Sequence, residues 1–98
     1  MKANTYFKTE NAARYLGTLC KHFGHKVPVT HDADVGRIEL PFGICELRGD
    51  ETGLAMNVTA KDKRHLDKTV QVVTSHLERF AFRENPEVSW STATEADA

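Results

Sequence analysis

The spacing of apolar residues changes along this chain from a helical period to an alternating one and back again. In two stretches apolar residues recur every three or four positions, which places them on one face of an α-helix. The two sets are Ala12, Leu16, Leu19, Cys20 and Phe23, and Leu66, Val70, Val73, Leu77 and Phe80. Between them apolar and polar residues alternate, as in strands with one buried face. Such a chain can bury its apolar groups by laying two helices on one face of a sheet.

The alternating segments predict short strands joined by short loops. The predicted strands are Ala3–Lys8, a strand that begins near Val27, one that contains Ile38 and Leu40, Ile44–Arg48, and Leu54–Val58, with a further short strand at Val88–Trp90. Short loops favour antiparallel neighbours. We therefore predict an α+β two-layer sandwich in the order β-α-β-β-β-β-α, with both helices on one face of an antiparallel sheet. This order is that of the TATA-binding-protein-like architecture, which by itself implies no DNA binding.

Helix boundaries follow from capping residues. Thr9 is the predicted N-cap of the first helix, and Gly24 is predicted to end it in the left-handed conformation. Thr59, followed by Asp62, predicts a capping box for the second helix. That helix is expected to stop near Phe82, because a proline at position 86 disfavours its continuation.

Size and composition restrict the class of protein. The 98 residues predict a single domain over 1–90, followed by a small, polar tail over 91–98 that we expect to be disordered. A formal charge of −1 offers no reason to expect nucleic acid as a partner, and without a run of 18 apolar residues we expect no membrane partner. The mixed charge of the outer sheet face favours a monomer. Two cysteines without a signal peptide predict reduced thiols and a cytoplasmic location.

Histidines and cations near the predicted helix ends form the candidate site. The residues are His22, His25, Lys26, His76, Arg79 and Arg83. Gathered by the fold, they would bind a carboxylate or phosphate group of a ligand or partner. The alternative is that the cations only complement the dipoles of the helix ends.

The histidines also allow a metal site. His22 and His25 are three residues apart, and His76 would supply a third ligand if the two helices run antiparallel with facing flanks. Three imidazoles would suit zinc, copper, nickel or iron better than magnesium or calcium. The alternative is that these histidines border the core and bind no metal. Cys20 cannot join His22 while that turn is helical, because residues two apart point in different directions.

Enzymatic chemistry has weaker support in the sequence. Cys20 and Cys45 fall on predicted apolar faces, where thiols are usually inert, and no acid is placed to orient a Cys–His pair. Lys61, Lys63 and Arg64 crowd the start of the second helix, as a solvated face or as a contact for an acidic partner. Phe82 is expected either to pack with the C-terminal strand or to form part of a partner surface.

Three separated blocks resemble a bacterial family. "RYLGTLCKHFGHKVPV", "GRIELPFGICEL" and "HLERFAFRE" are similar to domain-of-unknown-function family 2218, and the resemblance extends from Arg14 to Trp90. It implies a small cytoplasmic bacterial domain of a kind sometimes found beside or fused to siderophore-interacting flavoproteins, and hence a link to iron acquisition. No activity or catalytic residue comes with the family, and the resemblance does not identify a cofactor. We therefore expect a non-enzymatic accessory or binding domain, with a small histidine metal-binding protein and an interaction module for a flavoprotein reductase as alternatives.

Overall fold

A computed structural model of the chain describes residues 1–84, 86 and 88–93. The helices are α1 (Ala12–Phe23) and α2 (Lys63–Phe80), followed by a short 3₁₀-helix (Phe82–Glu84). The strands are β1 (Lys2–Lys8), β2 (Val29–His31), β3 (Val35–Leu40), β4 (Gly43–Gly49), β5 (Gly53–Thr59) and β6 (Ser91–Ala93). The predicted α+β order, β-α-β-β-β-β-α with a short C-terminal strand, is therefore confirmed.

The six strands form one antiparallel sheet in the order β2-β3-β4-β5-β1-β6. Strands β2 to β5 pair with their neighbours along the chain, as their short loops require. Strand β1 then lies beside β5, with Met56 opposite Thr5. Strand β6 pairs with the other side of β1, so the first and last strands are neighbours in the sheet.

The apolar face of the sheet and the apolar stripes of both helices form one core. Strand residues alternate between buried and exposed, and the buried ones include Ile38, Cys45 and Met56. The helices cover these with side chains such as Leu16 and Leu77, both fully buried. On the opposite face the strands present exposed polar and charged side chains, among them Lys2, Asn4, Arg37, Glu46 and Arg48.

Two glycines allow the helices to approach the strands closely. A Cβ at Gly36 in β3 would lie 2.6 Å from the Cys20 sulfur in α1. A Cβ at Gly43, at the start of β4, would collide with the hydroxyl of Thr69 in α2. Each helix is therefore held against the sheet at a point where a side chain on the strand would force the layers apart.

The first helix differs from its predicted ends. Its N-cap is Asn11 and not Thr9, because the Thr9 hydroxyl accepts a hydrogen bond from the Asn11 backbone N–H at 3.0 Å and the chain turns before the helix begins. Gly24 does cap the other end, donating from its N–H to the Cys20 carbonyl at 2.9 Å. It does so in the right-handed conformation, with φ at −62°, so the prediction of a left-handed residue was wrong.

The second helix and the C-terminal strand are also displaced from their predictions. The Asp62 carboxylate, rather than Thr59, caps α2 by accepting from the His65 N–H at 2.8 Å. The helix ends at Phe80, and the chain tightens into the 3₁₀-helix instead of reaching Phe82 as α-helix.

Strand β2 begins at Val29 and not at Val27, whose N–H still bonds back to the end of α1 at the Phe23 carbonyl. The last strand is Ser91–Ala93 rather than Val88–Trp90. The first three residues of the predicted disordered tail thus pair with β1, which supplies backbone partners for them. The remainder of that tail lies outside the described residues.

Candidate functional site

The two helices run antiparallel, and this brings His22 and His76 together. Tyr15, near the start of α1, donates its hydroxyl hydrogen to the Glu84 carboxylate beyond the end of α2. Seven residues later, His22 lies against His76, one turn before the end of α2. The end of α1 therefore lies further from the end of α2 than the start of α1 does, as in an antiparallel pair. The flanks that carry the two histidines face each other, which is one of the two arrangements that antiparallel helices allow.

The two imidazoles form part of an aromatic cluster at the end of α1. The ring centroids of His22 and His76 are 4.8 Å apart, and that of Phe23 lies 4.7 Å from His76. Phe80 places its ring 5.6 Å from His22, nearly edge to face. These distances are those of favourable ring packing. Phe23 is buried, His76 and Phe80 are half-buried, and His22 is exposed, so the cluster leads from the core to the surface.

A backbone hydrogen bond determines the tautomer of His76. Its Nδ1 lies 2.7 Å from the Val72 carbonyl oxygen. A carbonyl oxygen only accepts hydrogen bonds, so Nδ1 must carry the hydrogen. In the neutral ring the lone pair is then on Nε2, which this hydrogen bond leaves free for a ligand.

Several cations surround His22. The pKa of His22 lies below its ordinary value, first because partial burial disfavours the charged ring and then because His76, Lys26, Arg79 and His25 repel a further positive charge. The groups that act on His22 electrostatically are thus the other members of the predicted anion site, with the exception of Arg83. We call His22, His25, Lys26, His76 and Arg79 the imidazole patch.

Arg83 lies beyond the end of α2, in the 3₁₀-helix. Because α2 ends at Phe80, position 83 falls in the 3₁₀-helix and does not continue the helical row that begins at Arg79. Its guanidinium carbon lies 5.8 Å from the centroid of the Phe82 ring. Phe82 itself is 67% exposed. The Phe82 side chain therefore lies at the surface and is not packed away under the C-terminal strand.

The structure brings together only two of the three ligands that the metal hypothesis requires. His22 and His76 lie together, but in the part of the chain that the structure describes, no three His, Cys, Asp or Glu side chains are placed to hold one ion. Cys20 and Cys45 are free and buried. Burial raises the pKa of both thiols, that of Cys45 to about 12, so neither provides a thiolate near neutral pH.

Sequence reasoning missed a second polar contact between the helical elements. The Glu84 carboxylate accepts hydrogen bonds from the Thr9 hydroxyl at 2.7 Å, from the Asn11 amide at 3.1 Å and from Tyr15. These bonds lower the pKa of Glu84, with the Tyr15 bond as the largest cause. The partners are 69 to 75 residues apart in the chain, so no local sequence pattern predicts these hydrogen bonds.

The chain matches, over residues 4–91, the family described as uncharacterized protein conserved in bacteria (DUF2218). It belongs to that family. The resemblance found in the three sequence blocks is thereby confirmed. The NMR structure of PA4090 from Pseudomonas aeruginosa has the same fold, with a TM-score of 0.81 and 34% sequence identity over 96% of this chain and 98% of that one. No curated protein matches. Among the described residues, no helix is both long and apolar enough to cross a membrane.

Proposed function

We propose that this member of the DUF2218 family is a non-enzymatic binding domain that recognises an anionic group through the imidazole patch. The observation that carries the proposal is the contact of His22 with His76 at 4.8 Å, in a setting where Lys26, Arg79 and His25 oppose a further charge on His22. A carboxylate or phosphate placed among these groups would replace repulsion by attraction. The ion pairs among the described residues, Arg37–Glu46, Lys63–Asp67 and Asp62–His65, involve none of the patch.

The patch would couple binding to pH. An anion favours the protonated form of a nearby imidazole, so binding raises the lowered pKa of His22. By linkage, the affinity for the anion increases as the pH falls below 6.5 toward the lowered pKa of His22.

The proposal is tested by titrating pyrophosphate and citrate into isotope-labelled protein at pH 6.0 and 7.5 and following amide and imidazole resonances. We expect saturable changes at His22, His25 and His76, with tighter binding at the lower pH. Arg79→Gln should weaken binding by about tenfold, the effect of losing one charge-assisted hydrogen bond. Arg14→Gln removes the same charge from an exposed position on α1 and serves as the control. Equal weakening by both variants, or no change at the histidines, would contradict the proposal.

Metal binding is a second candidate function, favoured by the hydrogen bond of His76. Imidazoles that bind metals commonly donate their other N–H to a backbone carbonyl, as Nδ1 of His76 does to Val72. The remaining Nε2 and the ring of His22 would be two ligands, and His25 would have to move to supply a third.

Calorimetric titration with zinc, nickel, copper and iron(II) tests this second candidate. Micromolar or tighter binding that is lost in His76→Ala and kept in His31→Ala, an exposed histidine of β2, would establish a metal site. If none of the four metals gives a heat of binding, the metal candidate is excluded and the anion proposal remains. The flavoprotein partner and the link to iron stay predictions from the family resemblance. The imidazole patch would fit an acidic surface on such a partner.

A further inference from the structure

A second cluster of cations lies at the opposite end of α2 from the imidazole patch. Twelve residues separate Arg64 from His76, which corresponds to about 18 Å along a helix. Here the turn between β3 and β4 lies beside the first turns of α2, and the two line an open cavity of about 340 Å³. Its lining residues are Pro41, Phe42, Arg64, His65 and Lys68. An adjoining cavity of about 250 Å³ shares Pro41, Phe42 and His65 and adds apolar wall from Leu40 and Ile44.

The walls of this cavity are held in place by contacts behind them. The Asp62 carboxylate accepts from both the backbone N–H and the ring Nδ1 of His65, at 2.8 and 2.7 Å. The turn that carries Phe42 is fixed because Gly43 packs directly on Thr69 of α2. Asp62 thus already caps the helix, and the exposed side chains, not the helix end, form the cavity.

Within the part of the chain that the structure describes, some cations near the cavity are paired with a carboxylate and others are not. Lys63 does not line the cavity and pairs with Asp67 at 2.9 Å, so its charge is locally offset. Arg64 and Lys68, one helical turn apart, make no ion pair among the described residues. The Lys68 ammonium lies 4.8 Å from the centre of the Phe42 ring, which brings a cation and an aromatic face together at the same wall.

We propose that this cavity binds a small aromatic anion, a carboxylate or phosphate attached to a flat apolar ring. Arg64 and Lys68 would hold the anionic group, and Phe42, Pro41 and the adjoining Leu40 and Ile44 would cover the ring. The cavity's volume falls in the range of about 300–1,000 Å³ that is usual for small-molecule sites, and its walls combine apolar surface with a few polar groups as such sites do. The proposal is independent of the imidazole patch, because the two sites share no residue.

The test is a resonance titration of the full chain with phenyl phosphate and benzoate, compared with inorganic phosphate and benzyl alcohol. We expect saturable changes at the amides of residues 40, 42–44 and 61–68, fitted separately from any change at the imidazole patch, which would bind the anionic group alone. Both aromatic anions should bind at least about tenfold more tightly than either half-probe, since each half-probe lacks one set of contacts. Arg64→Gln and Lys68→Gln should each weaken binding by about tenfold. Phe42→Ala should remove the advantage of phenyl phosphate over inorganic phosphate.

Lys63→Gln provides the matched control. It removes the same charge from the same turn of α2 but from a side chain outside the cavity, so binding should equal that of the unaltered chain. The proposal is overturned if Lys63→Gln weakens binding as much as Arg64→Gln, or if inorganic phosphate binds as well as phenyl phosphate. It is also overturned if the aromatic anions perturb only the histidines of the imidazole patch, or nothing at millimolar concentration. Amide spectra of each variant confirm that the fold is retained.

Discussion

The helical elements meet at two polar contacts of opposite character. At one, the Glu84 carboxylate accepts hydrogen bonds from Thr9, Asn11 and Tyr15, so the charge has partners. At the other, the His22 ring lies against His76, with cations that oppose its protonation. The first contact is satisfied within the domain and contributes to stability. At the second contact the groups that act on His22 are imidazoles and cations, an arrangement that a bound anion would complement.

Both contacts should be less important to stability than the buried leucines between the layers. Leu77 is fully buried in α2, and Leu77→Ala removes apolar contacts and leaves a cavity. We expect the free energy of unfolding, measured with urea and circular dichroism, to fall by about 2–5 kcal/mol. A loss of less than about 1 kcal/mol would mean that polar contacts, not the core, hold α2 to the sheet.

Loss of the Glu84 charge should have the next largest effect. Glu84→Gln weakens three hydrogen bonds, but the carboxylate is exposed, so we expect a loss of about 1 kcal/mol in the free energy of unfolding near pH 7. Glu78→Gln removes the same charge from an exposed position on α2 and should leave stability unchanged within about 0.5 kcal/mol. Equal effects of the two variants would show that the hydrogen bonds of Glu84 add no stability beyond that of an ordinary exposed carboxylate.

Acid should weaken the two contacts in different pH ranges. The folded state holds the pKa of His22 below 6.5, so the unfolded chain binds more protons there, and stability falls as the pH drops from above 6.5 through the folded pKa. The pKa of Glu84 lies below 4.5, so its contribution is present above 4.5 and is lost as the pH falls through the lower folded value.

Urea unfolding of the variants at a series of pH values separates these ranges. In His22→Gln the loss between pH 7.5 and 5.5 should diminish, while the loss below 4.5 remains. In Glu84→Gln the reverse is expected. His31→Gln, at an exposed position of β2, is the control for the first variant. Profiles of His22→Gln and the unaltered chain that coincide would contradict the proposed environment of His22.

The smallest effect is expected from a single cation of the imidazole patch. Lys26→Gln removes one of the charges that lower the pKa of His22, so that pKa should rise, as measured by imidazole resonances over a pH series. Stability should change by less than about 0.5 kcal/mol because Lys26 is exposed. Lys21→Gln, also exposed on α1, should leave the pKa of His22 where it is. A pKa that does not respond to Lys26→Gln would remove that side chain from the patch.

The periodic part of the fold could be predicted because periodicity records which face is buried. The stripes that contain Leu16 and Leu77 and the alternation of Leu54, Met56 and Val58 all correspond to buried faces in the structure. Helix ends were predicted less well. Thr9 has the side chain of an N-cap, yet its hydroxyl is used in a turn and in a bond to Glu84, a residue far away in the chain.

By itself, the sequence determined the fold class, the family and the pool of residues from which a site could be built, since apolar spacing and local motifs are properties of neighbouring residues. Only the tertiary structure decided which of those residues meet. Antiparallel helices brought His22 to His76, the early end of α2 left Arg83 in the 3₁₀-helix, and the approach of Gly43 to Thr69 placed Phe42 beside Lys68. Such contacts depend on how whole elements pack, and packing is set by shape and volume across the core rather than by any local pattern.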